Sequence, residues 1–503
     1  MSEAVKTQNA EFKGFRSIFW PIHDFELKKF LPTAFVMLFI VFNYSTMRCV
    51  KDALIVPLCG AEIISALKLF AVLPSAVVFM LVYSKLANVL NRPKLFYTVT
   101  SFFALYLMLF VFFLYPNRDA LHPDLSEAIN SWPRFRWFLL IASHWVLSSF
   151  YIMAELWGSV MISLMFWQYA NEITSLKEAK RFYSMFGFFS NFGAIAAGNI
   201  IVKLSSSGKN IESWNDSLHS IMVFVISSCV IIMCIYWWME RNVLTDKRFY
   251  DPEANAGKTK KKKAKMSLGE SFKYIFTSKY LGYIVLLIIC YGISINLVEG
   301  VWKDRMRAFC SHSTEYNAMM GRLQMYTGAL SLVMMIVGMN VLRRFSWFAS
   351  AAVTPVMIMA TGVVFFFFVV YGGLLDPTLA RFAITPLGFA VYVGIAQNVL
   401  AKSTKYSLFD STKEMSYIPL DDELKVKGKA AVEVVGGRLG KSGGAAIQQL
   451  LLFLCPGWTL FDLSPIICVV FLFIVGIWIV SVHGLSREFA TVTANKKANV
   501  VGK

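Results

Sequence analysis

The segment GGRLGKSGGAAIQQLLLFLC, residues 436–455, joins a glycine-rich motif containing lysine to a long apolar run. A nucleotide-binding P-loop follows a strand and requires a glycine five positions before the glycine of its Gly-Lys-Ser triplet. Here that position is Val435, and no strand pattern precedes it. The segment therefore does not predict the phosphate loop of a soluble ATPase.

The glycines of this segment fit a membrane helix better than a loop. Gly436, Gly440 and Gly444 recur every four residues and form one smooth stripe, which is typical of closely packed membrane helices. Arg438 and Lys441 are three residues apart and lie on a different face. The pattern predicts that one face packs on a neighbouring helix while another directs two cations into the protein.

The composition excludes an ordinary soluble protein. The 503 residues are 57% hydrophobic and 16% charged, whereas soluble domains average about 45–50% apolar and about 25% charged residues. The net charge of +18 is typical of basic cytoplasmic loops and also favours an anionic solute. No basic soluble domain indicates nucleic-acid binding, and the eight cysteines form no CxxC pair, so we expect no metal or cofactor.

Hydropathy predicts an all-α membrane protein with twelve transmembrane helices, because about 20 apolar residues cross a bilayer. The fourth span is long enough either to extend beyond the bilayer or to contain a break. The predicted spans are residues 32–52, 64–84, 95–115, 137–166, 183–204, 218–238, 279–299, 324–342, 347–371, 381–401, 434–455 and 463–484.

Lysine and arginine are concentrated in the even-numbered loops, the N-terminal tail and the central segment, which contains KTKKKKAK at residues 258–265. The positive-inside rule then places both termini in the cytoplasm. Two halves of six spans joined by a basic linker predict a major-facilitator-like arrangement. The predicted divisions are a tail at 1–31, halves at 32–239 and 279–484, the linker at 240–278, and a tail at 485–503.

The first span ends in NYSTMRCVKDALIV, residues 43–56, and places Arg48 and Lys51 where lipid is expected. An ionisable residue inside a span is costly and usually faces a cavity or a partner. The two cations either snorkel to the membrane surface or form a cationic wall, which Asp52 would partly screen. The Arg-x-x-Lys spacing recurs at residues 438–441, and Asn43 is a further candidate for substrate contact.

Two other spans carry candidate functional groups. Glu155 lies in a long apolar run and is either a helix-packing carboxylate or a cavity group. Glu299 and Lys303 have the favourable i, i+4 spacing of an ion pair, which is either an ordinary helix-end pair or a gate. We interpret His144 as a buried histidine and Trp302 as an anchor at the membrane surface.

The last candidates lie in spans ten and eleven. Asn398 is inside span ten, whereas Lys402 and Lys405 lie near its cytoplasmic end. We interpret these two lysines as residues that mark the cytoplasmic side of the membrane. Arg438 and Lys441 are stronger candidates, because the glycine stripe holds them beside other helices. A surplus of cations in a central cavity favours a polyvalent anion such as a phosphate compound. The sequence therefore predicts a solute carrier and not an enzyme.

Five segments resemble the nucleotide transporters of bacteria and plastids, the ATP/ADP translocases of obligate intracellular bacteria. The resemblance extends over residues 18–488. The segments are NYSTMRCVKDALIV at 43–56, YIMAELWGSVMISLMFWQYANEIT at 151–174, EAKRFYSMFG at 178–187, ISINLVEGVWK at 293–303 and KYSLFDSTKEMSYIPLDDELKVKGKAAVEVVGGRLGKSGG at 405–444.

This resemblance implies a monomer in the bacterial inner membrane that imports host ATP in exchange for ADP, commonly with phosphate. The family's essential charged residues correspond to Lys51, Glu155, Glu299 and Lys441. Two alternatives remain open at this stage, because the shared motifs do not separate them. One is proton-coupled net import of other ribonucleotides, and the other is exchange of a different nucleotide such as NAD.

Overall fold

A computed structural model describes residues 20–206, 211–246, 248–249, 278–382, 384–420 and 429–501. The predicted lysine run at 258–265 lies outside these ranges. Across the described residues the chain is helical and contains no strand. The long helices are α1 (Asp24–Cys59), α2 (Ile63–Val89), α3 (Arg92–Leu114), α4 (Trp145–Ile173), α5 (Leu176–Ser206), α6 (Ile211–Asn242), α7 (Lys279–Phe309), α8 (Ser313–Arg344), α9 (Trp347–Tyr371), α10 (Pro386–Thr404), α11 (Lys429–Leu454) and α12 (Ser464–Val501).

Within the described ranges, ten of these helices are long and apolar enough to cross a membrane, and α10 and α11 are the other two. The apolar part of α11 is confined to Ser442–Leu454, because its first half carries charged residues. Helices therefore occupy all twelve predicted positions, while the count of twelve membrane crossings remains a prediction.

Several helices extend past the boundaries that hydropathy predicts. Helix α1 begins at Asp24, and α12 continues to Val501, so much of the predicted C-terminal tail is helical. The long fourth span is broken: one helix covers Arg136–Ser143, and α4 begins after His144. Hydropathy reports the apolar thickness of the membrane, whereas a helix can continue into water.

The bundle has two ends, which we name from the connections they carry. The far end carries residues 115–144 and the α1–α2, α5–α6, α7–α8, α9–α10 and α11–α12 connections. The terminal end carries Trp20, the start of α1 and the end of α12. At the terminal end, Arg181 binds Glu26 and Lys29 binds Glu178 at 3.0 Å, which ties α1 to α5.

The two halves, α1–α6 and α7–α12, meet most closely along α5 and α8. A Cβ atom at Gly198 would lie 2.5 Å from the backbone oxygen of Gly321. This contact requires glycine, because the two backbones nearly touch. The same pair of helices is joined by a 3.0 Å hydrogen bond from Asn317 to Ser205 and by Asn191 beside the Met335 sulfur at 3.8 Å.

The glycine stripe of α11 packs on α7, as the sequence predicts. A Cβ at Gly440 would lie 2.9 Å from the carbonyl oxygen of Ile288, and one at Gly292 would lie 2.5 Å from the Gly440 carbonyl carbon. Gly436 faces Ile288, and Gly444 faces Asn296. This contact places the α11 backbone beside the helix that carries Glu299 and Lys303.

In the described part of the chain, four short π-helical segments lie within these helices or at their ends: Leu67–Val72, Phe110–Leu114, Gly158–Phe166 and Lys405–Phe409. Such segments are frequent at functional sites, because one extra residue per turn redirects the side chains. The first contains Lys68, the third begins three residues after Glu155, and the fourth follows Lys402 closely. Three of the four therefore adjoin ionisable residues inside the bundle.

Candidate functional site

Lys51 and Asp52, in the last third of α1, begin a chain of ion pairs. The Lys51 ammonium lies 3.1 Å from one Asp52 oxygen and 3.0 Å from Glu155 of α4. It also lies 3.7 Å from the centre of the Tyr151 ring, a favourable cation–π geometry. The other Asp52 oxygen is 2.9 Å from Lys303 of α7, so Asp52 connects the two halves.

Glu299 forms the second centre of this chain. A single oxygen of its carboxylate has three cationic neighbours: Arg48 at 3.2 Å, Lys402 at 3.4 Å and Lys303 at 3.5 Å. Arg48 belongs to α1, Lys303 to α7 and Lys402 to α10. The predicted pair of Glu299 and Lys303 is therefore present, but Lys303 lies closer to Asp52.

A further lysine joins the group from α2. Lys68 donates to the Asn296 side chain at 2.5 Å, and Asn296 lies one helical turn before Glu299. We call the whole set the charged cluster. It comprises five cations, Arg48, Lys51, Lys68, Lys303 and Lys402, and three carboxylates, Asp52, Glu155 and Glu299.

The cluster is well suited to bind an anion. Its formal charge is +2, and it is surrounded by apolar helices in which Coulomb interactions are stronger than in water. Lysine and arginine are the usual partners of phosphate oxygens. The internal carboxylates hold the cations in the absence of a ligand, which lowers the cost of burying them.

The exposure of the side chains increases towards the terminal end. Asp52 and Lys51 are 0% and 3% exposed, whereas Arg48, one turn nearer the terminal end, is 23% exposed. On α4, Tyr151 is buried and Glu155, one turn nearer that end, is 30% exposed. The gradient indicates that the cluster is accessible from the terminal end.

At the far end, hydrogen bonds join the two halves above the cluster. Ser65 of α2 bonds Gln449 of α11 at 2.9 Å. The backbone N–H of Leu460 donates to the Glu62 carboxylate at 3.1 Å. With the bond between Asn317 and Ser205, these contacts close the far end on both sides of the bundle.

The structure brings together five of the predicted site residues: Arg48, Lys51, Glu155, Glu299 and Lys303. The side chains of Arg438 and Lys441 lie outside the described part of the chain, and so does any contact they make. Their backbone belongs to α11, and Gly440 between them packs on Gly292. Gly292 is two turns from Glu299, or about 10 Å along the helix.

Two predicted substrate contacts have other partners. Asn43 is fully buried and faces α6, where its amide donates to the Val225 carbonyl at 3.2 Å and accepts from Ser228. A polar side chain between two helices is satisfied by this contact, so the structure separates Asn43 from the cluster. Asn398 is buried too and donates to Gly394 of its own helix at 2.9 Å.

The structure contradicts the interpretation of Trp302 and supports that of His144 only in part. Trp302 is not a surface anchor: it is fully buried, and its indole N–H donates to the Val391 carbonyl at 3.0 Å. His144 is only partly buried and lines a cavity at the far end. In both cases the position of the residue in a span does not reveal the face it occupies.

Sequence reasoning missed Lys68 and misread Lys402. Lys68 follows the start of a span, and Lys402 follows the end of one, so both are easily read as membrane-surface residues. Lys402 lies one turn after Asn398 on the same face of α10, and this polar pair was the available signal. Asp52 was expected only to screen Lys51, whereas it bridges two lysines from different halves.

Among the described residues, no group of three histidine, cysteine or acidic side chains could hold a metal ion. Residues 5–489 match the family described as TLC ATP/ADP transporter. The chain belongs to this family. Its members are transporters and not enzymes.

The chain is 48% identical to "ADP,ATP carrier protein 1" of Rickettsia bellii, over 95% of this chain and 97% of that protein. It is 46% identical to "ADP,ATP carrier protein 1" of Chlamydia pneumoniae, over 99% and 98%. A solved bacterial homologue of the iron transporter ferroportin superposes with a TM-score of 0.56 at 14% identity, covering 94% of this chain and 100% of that one. The fold of this multi-pass membrane transporter is therefore of the major facilitator type.

Proposed function

We propose that this protein exchanges ATP for ADP, with inorganic phosphate as an additional substrate. The observation that carries the proposal is the charged cluster, in which five cations and three carboxylates from both halves meet. The relatives in Rickettsia and Chlamydia, named as ADP,ATP carriers, support nucleotides as the anions. Arg48, Lys51 and Lys402 would bind the phosphates, together with Arg438 and Lys441 of α11.

The pairs that join the halves offer a reason for exchange rather than net transport. Arg48–Glu299 and Asp52–Lys303 connect α1 to α7. To reopen at the far end, the empty protein must separate these buried charges without compensation, which is costly. Bound phosphates would replace the lost carboxylate partners of the cations, so a loaded carrier reorients with a lower barrier.

Basic residues support an orientation with the terminal end in the cytoplasm. Lys85, Arg92, Lys94, Arg343 and Arg344 lie at that end, and lysine and arginine favour the cytoplasmic side. We propose a location in the bacterial inner membrane with both termini inside. One chain supplies both halves of the cluster, which supports a functional monomer.

The deciding experiment measures uptake of labelled ATP by proteoliposomes that contain the full chain. Vesicles are preloaded with ADP or left empty, with and without a proton gradient. We expect uptake only into ADP-loaded vesicles. Uptake into empty vesicles driven by the proton gradient would instead indicate net import, with Glu155, the most exposed carboxylate of the cluster, as the candidate proton site.

A matched pair of variants connects this activity to the cluster. Lys51→Gln should lower exchange at least 100-fold, because a buried charge-assisted contact is worth about 3 kcal/mol. Lys85→Gln removes an exposed lysine at the terminal end of α2 and should leave exchange unchanged. Equal exchange by both variants would refute the assignment of the cluster as the phosphate site.

A further inference from the structure

A cavity of about 400 Å³ lies at the far end, on the opposite side of the cluster from the terminal end. We call it the vestibule. Its walls come from both halves: the 115–122 segment and the starts of α4 and α6 on one side, and residues 311–314, at the α7–α8 connection and the start of α8, on the other. Its position between the halves means that a bound molecule would contact both.

The polar lining of the vestibule favours an anion. Arg118, His122, His144 and His312 all face it, and Asp119 is the carboxylate among its lining residues. Arg118 is held in place by a 3.0 Å bond to the Tyr115 carbonyl and lies over the Tyr115 ring, 4.4 Å from its centre. It also lies 3.7 Å from the Asp119 carboxylate, so its charge is held at the wall of the cavity and is partly compensated there.

One histidine in this lining has a buried nitrogen that lacks a hydrogen-bond partner in the described part of the chain. The Nε2 atom of His122 is buried and, among the described residues, has no hydrogen-bond partner. A buried polar atom without a partner costs about 1–3 kcal/mol, so a rotation of the ring that lets a ligand bond this atom would remove a penalty. The His122 ring packs against His144 with centres 5.2 Å apart, so a ligand reaching one lies close to the other.

The vestibule lies directly beyond the charged cluster. Leu54 of α1 and Leu147 of α4 line its floor; Leu54 is about one helical turn from Lys51, and Leu147 is about one turn from Tyr151, whose ring contacts Lys51. The distance along the helix is therefore about 4.5 Å in α1 and about 6 Å in α4. The hydrophobic floor separates the vestibule from the cluster.

We propose that the vestibule is a second binding site, which holds the phosphate group of an anion before or after it occupies the charged cluster. Arg118 supplies the permanent charge, His122 and His144 supply hydrogen bonds, and His122 also supplies a variable charge. The site goes beyond the proposed function, which concerns the cluster alone. It rests on that function only for the identity of the anion as a nucleotide.

The site should bind more strongly at lower pH. Burial, and then the neighbouring His144, lower the pKa of His122 below its ordinary value, so the empty site holds a neutral ring at pH 7. A dianion favours the protonated ring and raises its pKa, so binding takes up a proton. Arg118 stays charged, Asp119 opposes binding at every pH tested, and α1 contributes no titratable group to the lining.

The test uses the full chain in nanodiscs, where both ends are accessible. Asn215 is exposed and lines the vestibule, so Asn215→Cys provides a labelling site for a polar maleimide. Sulfate is the first probe, because its charge is constant between pH 5.5 and 7.5. Ser131→Cys, exposed at the same end but outside the cavity, is the matched control, and the wild-type cysteines provide the background.

We expect sulfate to slow labelling at position 215 but not at 131, with about tenfold tighter binding at pH 5.5 than at pH 7.5, the effect of a one-unit change in a histidine pKa. Arg118→Gln should abolish protection, and Arg118→Lys should retain part of it. His122→Asn should abolish the pH dependence. Unchanged labelling at 215, or equal protection at 131, would overturn the proposal.

Inorganic phosphate and ADP then identify the source of the anion. Protection by ADP at much lower concentration than by phosphate supports a nucleotide site, and equal concentrations support a site for free phosphate. Each measurement is repeated in Lys51→Gln. Persistence of protection there places the anion in the vestibule even if exchange fails, whereas loss of protection attributes the effect to the cluster and refutes a separate site.

Discussion

The bridge between Asp52 and Lys303 gives a quantitative prediction. Asp52→Asn preserves the shape of the side chain but removes the charge that connects α1 to α7. Breaking a buried pair by removing one partner costs about 3–5 kcal/mol. Lys51 keeps Glu155 at 3.0 Å and Lys303 keeps Glu299 at 3.5 Å, so we take about half of this cost, ~2 kcal/mol.

This energy stabilises the arrangement that is closed at the far end. Its loss should raise the population of the far-end-open arrangement about 30-fold, since 1.4 kcal/mol corresponds to a factor of ten. Ser65, buried where α2 meets α11 at the far end, reports this opening. In a Ser65→Cys background, labelling by a polar maleimide should accelerate by about this factor, provided that the open arrangement remains the minority.

A double-mutant cycle with Lys303→Gln isolates the pair. Each single change should accelerate labelling, and the combined change should do so by less than the product of the two factors, because the pair is already absent. Thermal unfolding of each variant in detergent provides the control for general damage. Labelling at the wild-type rate in Asp52→Asn would refute the view that this bridge keeps the far end closed.

Two further predictions concern packing and pH. Gly440→Ala should lower the thermal stability of the purified protein, because the added Cβ would lie 2.9 Å from the Ile288 carbonyl oxygen. Gly437→Ala is the control and should not lower it, since a Cβ there would meet no atom of another described helix within 4 Å. Equal melting temperatures for the two variants would contradict the close α7–α11 contact. Burial, and then Asp304, raise the pKa of the Glu62 carboxyl, so the folded state is stabilised as pH falls and is weakened when this group ionises. Glu62→Gln should therefore melt at a higher temperature than the wild type at pH 8 and at a similar temperature near pH 4. A difference in melting temperature that does not change with pH would show that ionisation of Glu62 is not the cause.

Hydropathy predicts the helical bundle well because an apolar run long enough to cross a bilayer has few other stable forms in lipid. It does not predict the helix ends, as α1 and α12 show, because a helix that leaves the membrane no longer needs apolar residues. The broken fourth span could be predicted from its length, but the position of the break at His144 could not.

The candidate site could be predicted where ionisable residues occur within apolar runs that are expected to cross the membrane. Arg48, Lys51, Glu155, Glu299 and Lys303 all lie in apolar runs, and each is close to another member of the cluster. The partner of each residue could not be predicted, because pairing depends on how distant helices approach one another.

Polar uncharged residues are harder to assign than charged ones. Asn43 satisfies its amide on α6 by hydrogen bonds, a solution that a charged group rarely has inside a membrane. Lys402 shows the opposite error, since its place near the end of a span resembles that of an ordinary membrane-surface lysine. In both cases the face of the helix on which a residue lies determines its partners, and a single sequence does not reveal which face that is.

The glycine contact between α5 and α8 has a consequence for measuring motion. Because the backbones touch at Gly198 and Gly321, α5 and α8 have little room to slide past each other. We therefore expect the two halves to rotate about this contact. Residues close to the axis of rotation move little, whereas α2 and α11, on the other side of the bundle, undergo the largest displacement. A pair of fluorophores across α2 and α11 would then report each transport cycle, and an identical pair across α5 and α8 would provide a stationary reference within the same molecule.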